Sequence, residues 1–292
     1  MENEAIDAAL ARLMGLSSGR HYGASRDSDC WVMIGRNLRE VTSWSIVPPS
    51  ASLTLTWGDG GCAVEFGGGN LQMRSGDWMW IDAGFAHRGD NLPGSDFLTV
   101  FIPDKYVLAA SLDLAPIGAA AQPAPQALAQ MLMRFAICLL DGVSTRSIEA
   151  PLLDTILDWV GIAFAPLETV NGHGNAAARA AAMLRADHRN QVRITDIADA
   201  VGLSGSELSR QFKAYYRLTP ALYRKQLRLA LATRALASGS SVLAAAHNAG
   251  FSDTAHLSRT FRAQYGIAPS QWSRRIAGAE PFGIPDGATL GA

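Results

Sequence analysis

Leu208-Ser209-Arg210-Gln211-Phe212-Lys213 returns 49 residues later as Leu257-Ser258-Arg259-Thr260-Phe261-Arg262. Each copy runs on to a tyrosine (Tyr216, Tyr265) and a proline (Pro220, Pro269) at the same spacing. Upstream, Asp199-Ala200-Val201-Gly202-Leu203-Ser204 is echoed by His247-Asn248-Ala249-Gly250-Phe251-Ser252 at an offset of 48. The copies thus differ by one residue between glycine and helix, where a turn absorbs the difference.

Both copies read as helix-turn-helix units. In the first, Ile194, Ile197, Ala198 and Val201 fall on one helical face. Gly202 then permits the positive φ at which that helix stops, and Ser204 is placed to cap the next. Leu208 and Phe212, four residues apart, point inward, while Ser206, Ser209, Arg210 and Lys213 share a polar arc. The second copy repeats the plan: Val242, Ala245, Ala246 and Ala249 form the first face, Gly250 the turn, and Ser252 or Asp253 the cap. Leu257 and Phe261 turn inward there, leaving His256, Arg259 and Arg262 outside. One such pattern is common in plain helical packing; two in register, joined by the amphipathic run 221–237, are far more specific. Two cationic helix faces of this kind suit successive major grooves about 34 Å apart.

The repeat resembles the DNA-binding domain of the AraC/XylS family of transcription regulators over residues 176–275. The resemblance rests on Ile197-Ala198, Gly202-Leu203-Ser204, Leu208-Ser209-Arg210-Gln211-Phe212, Leu218-Thr219-Pro220, Ala245-Ala246, Gly250-Phe251-Ser252-Asp253, Phe261-Arg262 and Pro269-Ser270-Gln271-Trp272. Ala245 stands where the family usually carries isoleucine, which predicts looser packing in the second unit. His247 is expected at the surface.

Charge points the same way without the resemblance. The whole chain is nearly neutral, with 25 basic and 26 acidic residues. Residues 176–276 carry 15 Lys/Arg against 5 Asp/Glu, whereas residues 1–175 carry 10 against 19. A cationic domain tied to an anionic one fits a phosphate-binding module with a separate partner domain.

Earlier in the chain the pattern is different. Between Cys30 and Pro103 apolar residues alternate with period two between glycine turns: Leu53 to Trp57, Cys62 to Phe66, Leu71 to Arg74, Trp78 to Ile81, Phe97 to Ile102. Many short strands of this kind predict a small barrel or sandwich. Within them, the run Ser75 to His87 (SGDWMWIDAGFAH), with Asn91 beyond it, resembles the second sequence motif of cupin barrels. Asp82 occupies that motif's usual proline position. AraC-type regulators commonly carry such a barrel as effector-binding domain, so the two resemblances support each other. A metal-dependent cupin needs further histidines from its first motif, and the corresponding stretch 50–67 has none. His87 alone holds no catalytic metal, so no metal or cofactor is expected, and no enzyme.

Trp31, Trp44, Trp57, Trp78 and Trp80 crowd this region, and Trp78 and Trp80 share a strand face. Core filling accounts for most of them; an aromatic cavity for a small organic effector is the functional alternative. That alternative nominates Trp31, Trp44, Trp78 and Trp80, with Arg74 and His87 as polar anchors. Two amphipathic helices follow, 123–140 and 151–164. Three scattered cysteines (Cys30, Cys62, Cys138) suit reduced thiols, and the acidic start without a long apolar run argues against a signal peptide or membrane span.

The expected fold is therefore α+β and multidomain. A cupin-like β-barrel with two following helices occupies 1–165, a linker 166–175, an all-α domain with two helix-turn-helix motifs 176–277, and a disordered tail 278–292. The resemblance implies a cytoplasmic, sequence-specific DNA-binding transcription regulator, with double-stranded DNA, a small effector, RNA polymerase and a second copy of the chain as partners. Ser206, Ser209, Arg210 and Lys213 in the first unit, and Thr254, His256, Ser258, Arg259 and Arg262 in the second, are the expected DNA contacts. Rival readings are a barrel that is only a dimerisation scaffold, and a cupin-type enzyme with a fused basic domain.

Overall fold

The computed structural model describes residues 11–25, 30–48, 50–66, 69–103, 119–163, 176–187, 192–216, 218–278 and 282–284. The linker expected at 166–175 lies outside them.

The N-terminal half is two antiparallel sheets. Strands β1 (Gly19–Ala24), β2 (Trp31–Leu38), β4 (Ala51–Gly58), β7 (Asp77–Ile81), β9 (Ser95–Ile102) and β10 (Ala119–Pro123) form a seven-stranded sheet with β11 (Phe282–Ile284), in the order β10-β7-β4-β9-β2-β1-β11. Strands β3 (Thr42–Ile46), β5 (Cys62–Phe66), β6 (Gly69–Met73) and β8 (His87–Asn91) make a four-stranded sheet, ordered β3-β8-β5-β6. Every strand expected from period two is present. The described strands pair as two separate sheets rather than as one closed barrel.

Three strands, β1, β10 and β11, lie outside the stretch read as period two. Strand β1 is buried along its whole length, so both its faces are covered and no alternation shows. Its Gly23 lies where an added Cβ would sit 2.7 Å from the Leu139 carbonyl, which reserves the position for glycine. Strand β11 corrects the expectation of a disordered tail for residues 282–284, because Tyr22, His21 and Arg20 of β1 pair with Phe282, Gly283 and Ile284.

Alternation decides what each face of the large sheet touches. Val32, Ile34, Leu53, Leu55, Trp78, Trp80, Leu98, Val100 and Ile102 pack on helices α1 (Gln126–Leu140) and α2 (Glu149–Ala163) through Leu132, Phe135, Leu153, Ile156 and Val160. The residues between them point toward the small sheet.

The C-terminal half is helical: α3 (Ala176–Ala186), α4 (Ile194–Ala200), α5 (Gly205–Tyr216), α6 (Pro220–Ala237), α7 (Val242–Asn248), α8 (Thr254–Tyr265) and α9 (Pro269–Gly278). Local chemistry sets the boundaries. Gly202 and Gly250 adopt φ of +77° and +79°, ending α4 and α7. Ser204 Oγ accepts from Glu207 N at 3.2 Å, and Thr219 caps α6 with Pro220 at its first position. Asp253, rather than Ser252, caps α8 by accepting from His256 N at 2.6 Å. Two cores result, one around Phe212, Tyr216 and Tyr223, the other around Phe261, Tyr265 and Trp272.

The halves are not independent beads. Tyr22, Trp31 and Phe101 of the large sheet belong to the second helical core; Trp31 stacks on Phe101 at 3.7 Å and meets Trp272 edge-on at 5.9 Å. Val47 and Ala86 join the first helical core, and the buried Tyr223 hydroxyl donates to the Gly84 carbonyl at 2.7 Å.

Candidate nucleic-acid interface and adjoining cavity

Helices α5 and α8 are the second helices of the two units, and each buries one stripe. Leu208, Phe212 and Tyr216 are buried on α5; Leu257, Thr260, Phe261, Gln264 and Tyr265 on α8. The opposite arcs face outward. Ser206, Arg210 and Lys213 are exposed and Ser209 half-buried; Arg259 and Arg262 are exposed, with Thr254, His256 and Ser258 half-buried. None of the nine expected contact residues is buried, and Ser206, Arg210, Lys213, Arg259 and Arg262 are the fully exposed ones. Helix α6 connects the units, and its 18 residues span about 27 Å. His247 is exposed, while Ala245 is fully buried in the second core.

The arcs differ electrostatically. Arg210 grips Glu207 with two hydrogen bonds, Nε to Oε2 at 2.9 Å and Nη2 to Oε1 at 2.6 Å. That grip, helped by Gln211, holds the Glu207 carboxyl down at about 2. In the second unit His256 takes the equivalent place, with Nδ1 3.2 Å from Ser252 Oγ. Between the units, Arg224, Lys225 and Arg228 of α6 surround a recess of about 260 Å³ with Ile194, Phe251 and His256. Arg224 also donates to the Val192 carbonyl at 2.8 Å, and Asp187 lies 4.0 Å away. None of these α6 cations was singled out from sequence, since buried arginine stems on an amphipathic helix resemble ordinary packing.

A second feature lies between the two sheets. A cavity of about 80 Å³ is lined by Met33, Met73, Met79, Phe97, Phe101, Trp44, Ile46 and Pro48, with Arg20, Tyr22, Ser52, Thr54, Thr56, Cys62, His87, Asn91 and Thr99 among them. Gln264 and Tyr265, the last turn of α8, complete its wall. Gln264 Nε2 donates to the Ser45 carbonyl at 3.2 Å, and Gln226 Nε2 donates to Gln264 Oε1 at 3.3 Å. The Tyr265 ring meets Tyr22 edge-on at 6.5 Å, and its hydroxyl lies 3.1 Å from Thr233 Oγ1.

Of the residues nominated for an effector, Trp44 and His87 line this cavity; Trp31, Trp78, Trp80 and Arg74 do not. Period two correctly placed Trp78 and Trp80 on one face. That face packs on α1 and α2, and it is Met79 between them that reaches the cavity. Trp80 is tied by Nε1 to Asp82 Oδ1 at 2.7 Å, so the residue replacing the motif's proline has a local partner. Trp31 is committed to the domain junction, and Arg74 is exposed at the turn before β7. The missed lining residues, Arg20 and Tyr22 on β1 and Gln264 and Tyr265 on α8, are far apart in sequence, and no local pattern joins them.

His87 is buried and pushed down to about 4 by desolvation, so its ring is neutral. With Nδ1 2.9 Å from the Phe85 carbonyl, Nδ1 carries the proton and Nε2 is left as an acceptor. Its ring meets Trp44 edge-on at 5.2 Å. Among the described residues no three His, Cys, Asp or Glu side chains cluster as metal ligands, and no helix is long and apolar enough to cross a membrane.

Residues 197–275 match a family described as a helix-turn-helix domain. The HTH-type transcriptional activator RhaS of Pectobacterium carotovorum is 37% identical over 87 residues, which is 30% of this chain and 31% of that protein. The HTH-type transcriptional regulator GbdR of Pseudomonas aeruginosa is 30% identical over 105 residues, 36% of this chain and 28% of its own. The chain therefore matches about a third of the length of these relatives. A crystal structure of ToxT from Vibrio cholerae, bound to an unsaturated fatty acid, superposes with a TM-score of 0.54 at 11% identity. It covers 90% of this chain and 98% of ToxT, so both halves share that two-domain fold.

Proposed function

We propose that the chain is a sequence-specific DNA-binding transcription regulator whose N-terminal domain answers to a small organic ligand, since its C-terminal domain matches a helix-turn-helix family and resembles the AraC-type double helix-turn-helix. One observation carries this reading. Helix α8 turns Arg259 and Arg262 outward and closes the intersheet cavity with Gln264 and Tyr265. One rigid element therefore serves both the DNA surface and the cavity.

Each cationic arc would enter a major groove, with α6 setting the distance between grooves. Arg210 and Arg259 are placed to read base edges. Lys213 and Arg262, one turn further on, and Lys225 in the recess between the units are placed for phosphates. Ser206, Ser209, Thr254, His256 and Ser258 are short enough to fix register.

The cavity supplies the control. At about 80 Å³ it is smaller than the ~150 Å³ that holds benzene in an engineered protein core, and far below the ~300–1,000 Å³ of usual ligand sites. A ligand enters only by moving the walls, and α8 is one of them. Ligand affinity and the posture of the second unit are then linked, and each changes the other by the same factor. The described lining is rich in methionine and aromatic rings and includes Arg20, which suits an apolar molecule with an anionic end. A fatty acid of the kind seen in ToxT belongs in the test panel. A second copy of the chain, RNA polymerase and a cytoplasmic setting complete the proposal, supported by the family likeness alone.

The test is selection of bound sites from a random DNA pool, followed by affinity for the winning site with and without members of a panel of fatty acids, small aromatics and sugars. A ligand that raises the melting temperature and shifts DNA affinity supports the reading. Enrichment of no sequence overturns the DNA part. Winning sites whose affinity no panel member alters favour a domain that is only a scaffold.

A further inference from the structure

The carboxylate on the first reading face is out of keeping with its surroundings. Glu207 stands in the opening turn of α5, its side chain 35% exposed, as the one acid of that helix, on a surface it shares with Ser206, Arg210, Gln211, Lys213 and Ala214. An exposed pair three residues apart contributes little to stability. Against phosphates the negative charge is unfavourable, and it offsets the attraction Arg210 supplies. The second unit shows that the plan does not need it, because His256 fills the same position there.

Geometry gives the carboxylate another use. Its oxygens are fixed from one side by Arg210 Nε at 2.9 Å, Arg210 Nη2 at 2.6 Å and Gln211 Nε2 at 2.7 Å. A carboxylate offers about four acceptor positions, so three bonds leave one for an incoming donor. The group stays ionised at any working pH and can only accept. Major-groove donors are the amino groups of cytosine and adenine, and glutamate characteristically takes cytosine N4, while arginine takes guanine O6 and N7.

We propose that Glu207 is a specificity-determining residue: on DNA its carboxylate accepts from the amino group of a cytosine in the groove entered by α5, beside the guanine read by Arg210. The clamp made by Arg210 and Gln211 presets both side chains, so neither has to be ordered on binding. The same carboxylate rejects guanine and thymine at that position, since both present acceptors there. This inference rests on the DNA-reading function proposed above.

The full chain and its Glu207→Ala and Glu207→Gln variants are each used to select sites from a random DNA pool, with thermal melting to check folding. The expected wild-type motif contains one position where cytosine is preferred roughly 10-fold or more over the other bases. In Glu207→Ala that preference falls to within about 2-fold, other positions persist, and affinity for random DNA rises. Glu207→Gln, which keeps the size of the side chain, shifts the position toward adenine, and it carries the test should the alanine variant fail to fold. Variants that select the wild-type motif unchanged at every position overturn the role of Glu207 while leaving DNA reading intact. A wild-type chain that enriches nothing overturns the DNA-reading function itself.

Discussion

In the first unit Tyr216 packs on Phe212 at 4.6 Å and on Tyr223 at 5.4 Å, inside that unit's own core. Its counterpart Tyr265 packs on Phe261 at 4.5 Å in the same way, but also meets Tyr22 of the large sheet and borders the cavity. The residues repeated between the copies build the helix-turn-helix. Those that differ connect the copies to different surroundings: Glu207 against His256 on the outer arc, Tyr215 against Gln264 on the inner one. On the function proposed above, both units would read DNA, and coupling to the N-terminal domain would be concentrated in the second.

The harshest test of this asymmetry is a cavity in each core. Phe212 and Phe261 are both fully buried, so Phe212→Ala and Phe261→Ala should each lower stability by about 3–5 kcal/mol in denaturant unfolding. Their reach should differ. The Phe261 core includes Tyr22, Trp31 and Phe101, whereas among the described residues the Phe212 core takes only Val47 and Ala86 from the sheet domain. Hydrogen exchange in β1 and β9 should quicken in Phe261→Ala and stay near wild type in Phe212→Ala. Equal quickening in both would abolish the distinction.

Next in size are the two arginines. Arg210→Ala should lose about 1–3 kcal/mol for the selected site and less than that for random DNA. Its guanidinium is tied to Glu207, so its loss should change the salt slope by less than one. Arg259 has no carboxylate at ion-pair distance among the described residues, and Arg259→Ala should also lower the salt slope by about 1. Titrations at several salt concentrations decide it; identical slope changes would mean that the Glu207 clamp opens on DNA.

How the cavity behaves can be read from His87. Its folded pKa lies near 4 against 6.5 for the free side chain, so between those values the unfolded chain holds a proton that the folded chain does not. Stability from this group is present above about pH 6.5 and is lost as pH falls toward 4. Wild type should lose about 2 kcal/mol more than His87→Leu on going from about pH 7 to about pH 5. Urea midpoints measured at both pH values check this, and matching pH dependence in the two proteins would mean that the cavity admits water freely to the ring.

The repeat was legible because helix-turn-helix chemistry is local. Gly202, Gly250, Ser204 and the Leu-x-x-x-Phe pairs act on neighbours within a turn or two, and the structure places each where spacing put it. The alternating strands β4 and β5 were legible for the same reason. What could not be read was anything fixed by contacts between distant segments. Period two put Trp78 and Trp80 on one face yet could not say that the cavity belonged to Met79. Nor could it give Gln264 a carbonyl acceptor at Ser45, a partner 219 residues earlier.

That distant contact gives the smallest and most pointed prediction. Gln264 holds the end of α8 to β3 through Ser45 and is held in turn by Gln226 on α6. Gln264→Ala removes both bonds and should lower stability by about 1 kcal/mol, since a neutral hydrogen bond is worth little net of water. Its repeat counterpart Tyr215 makes an edge contact with Tyr216 at 4.8 Å and lies on a helix that does not line the cavity, so Tyr215→Ala is the matched control. If α8 transmits the ligand, Gln264→Ala should shrink the effect of a panel ligand on DNA affinity, and Tyr215→Ala should not. Coupling free energies are typically only 1–3 kcal/mol, so the loss of one such tether is large enough to see as a several-fold change. A ligand effect preserved in Gln264→Ala would move the coupling away from α8 toward the Tyr223–Gly84 contact, and with it to the first unit.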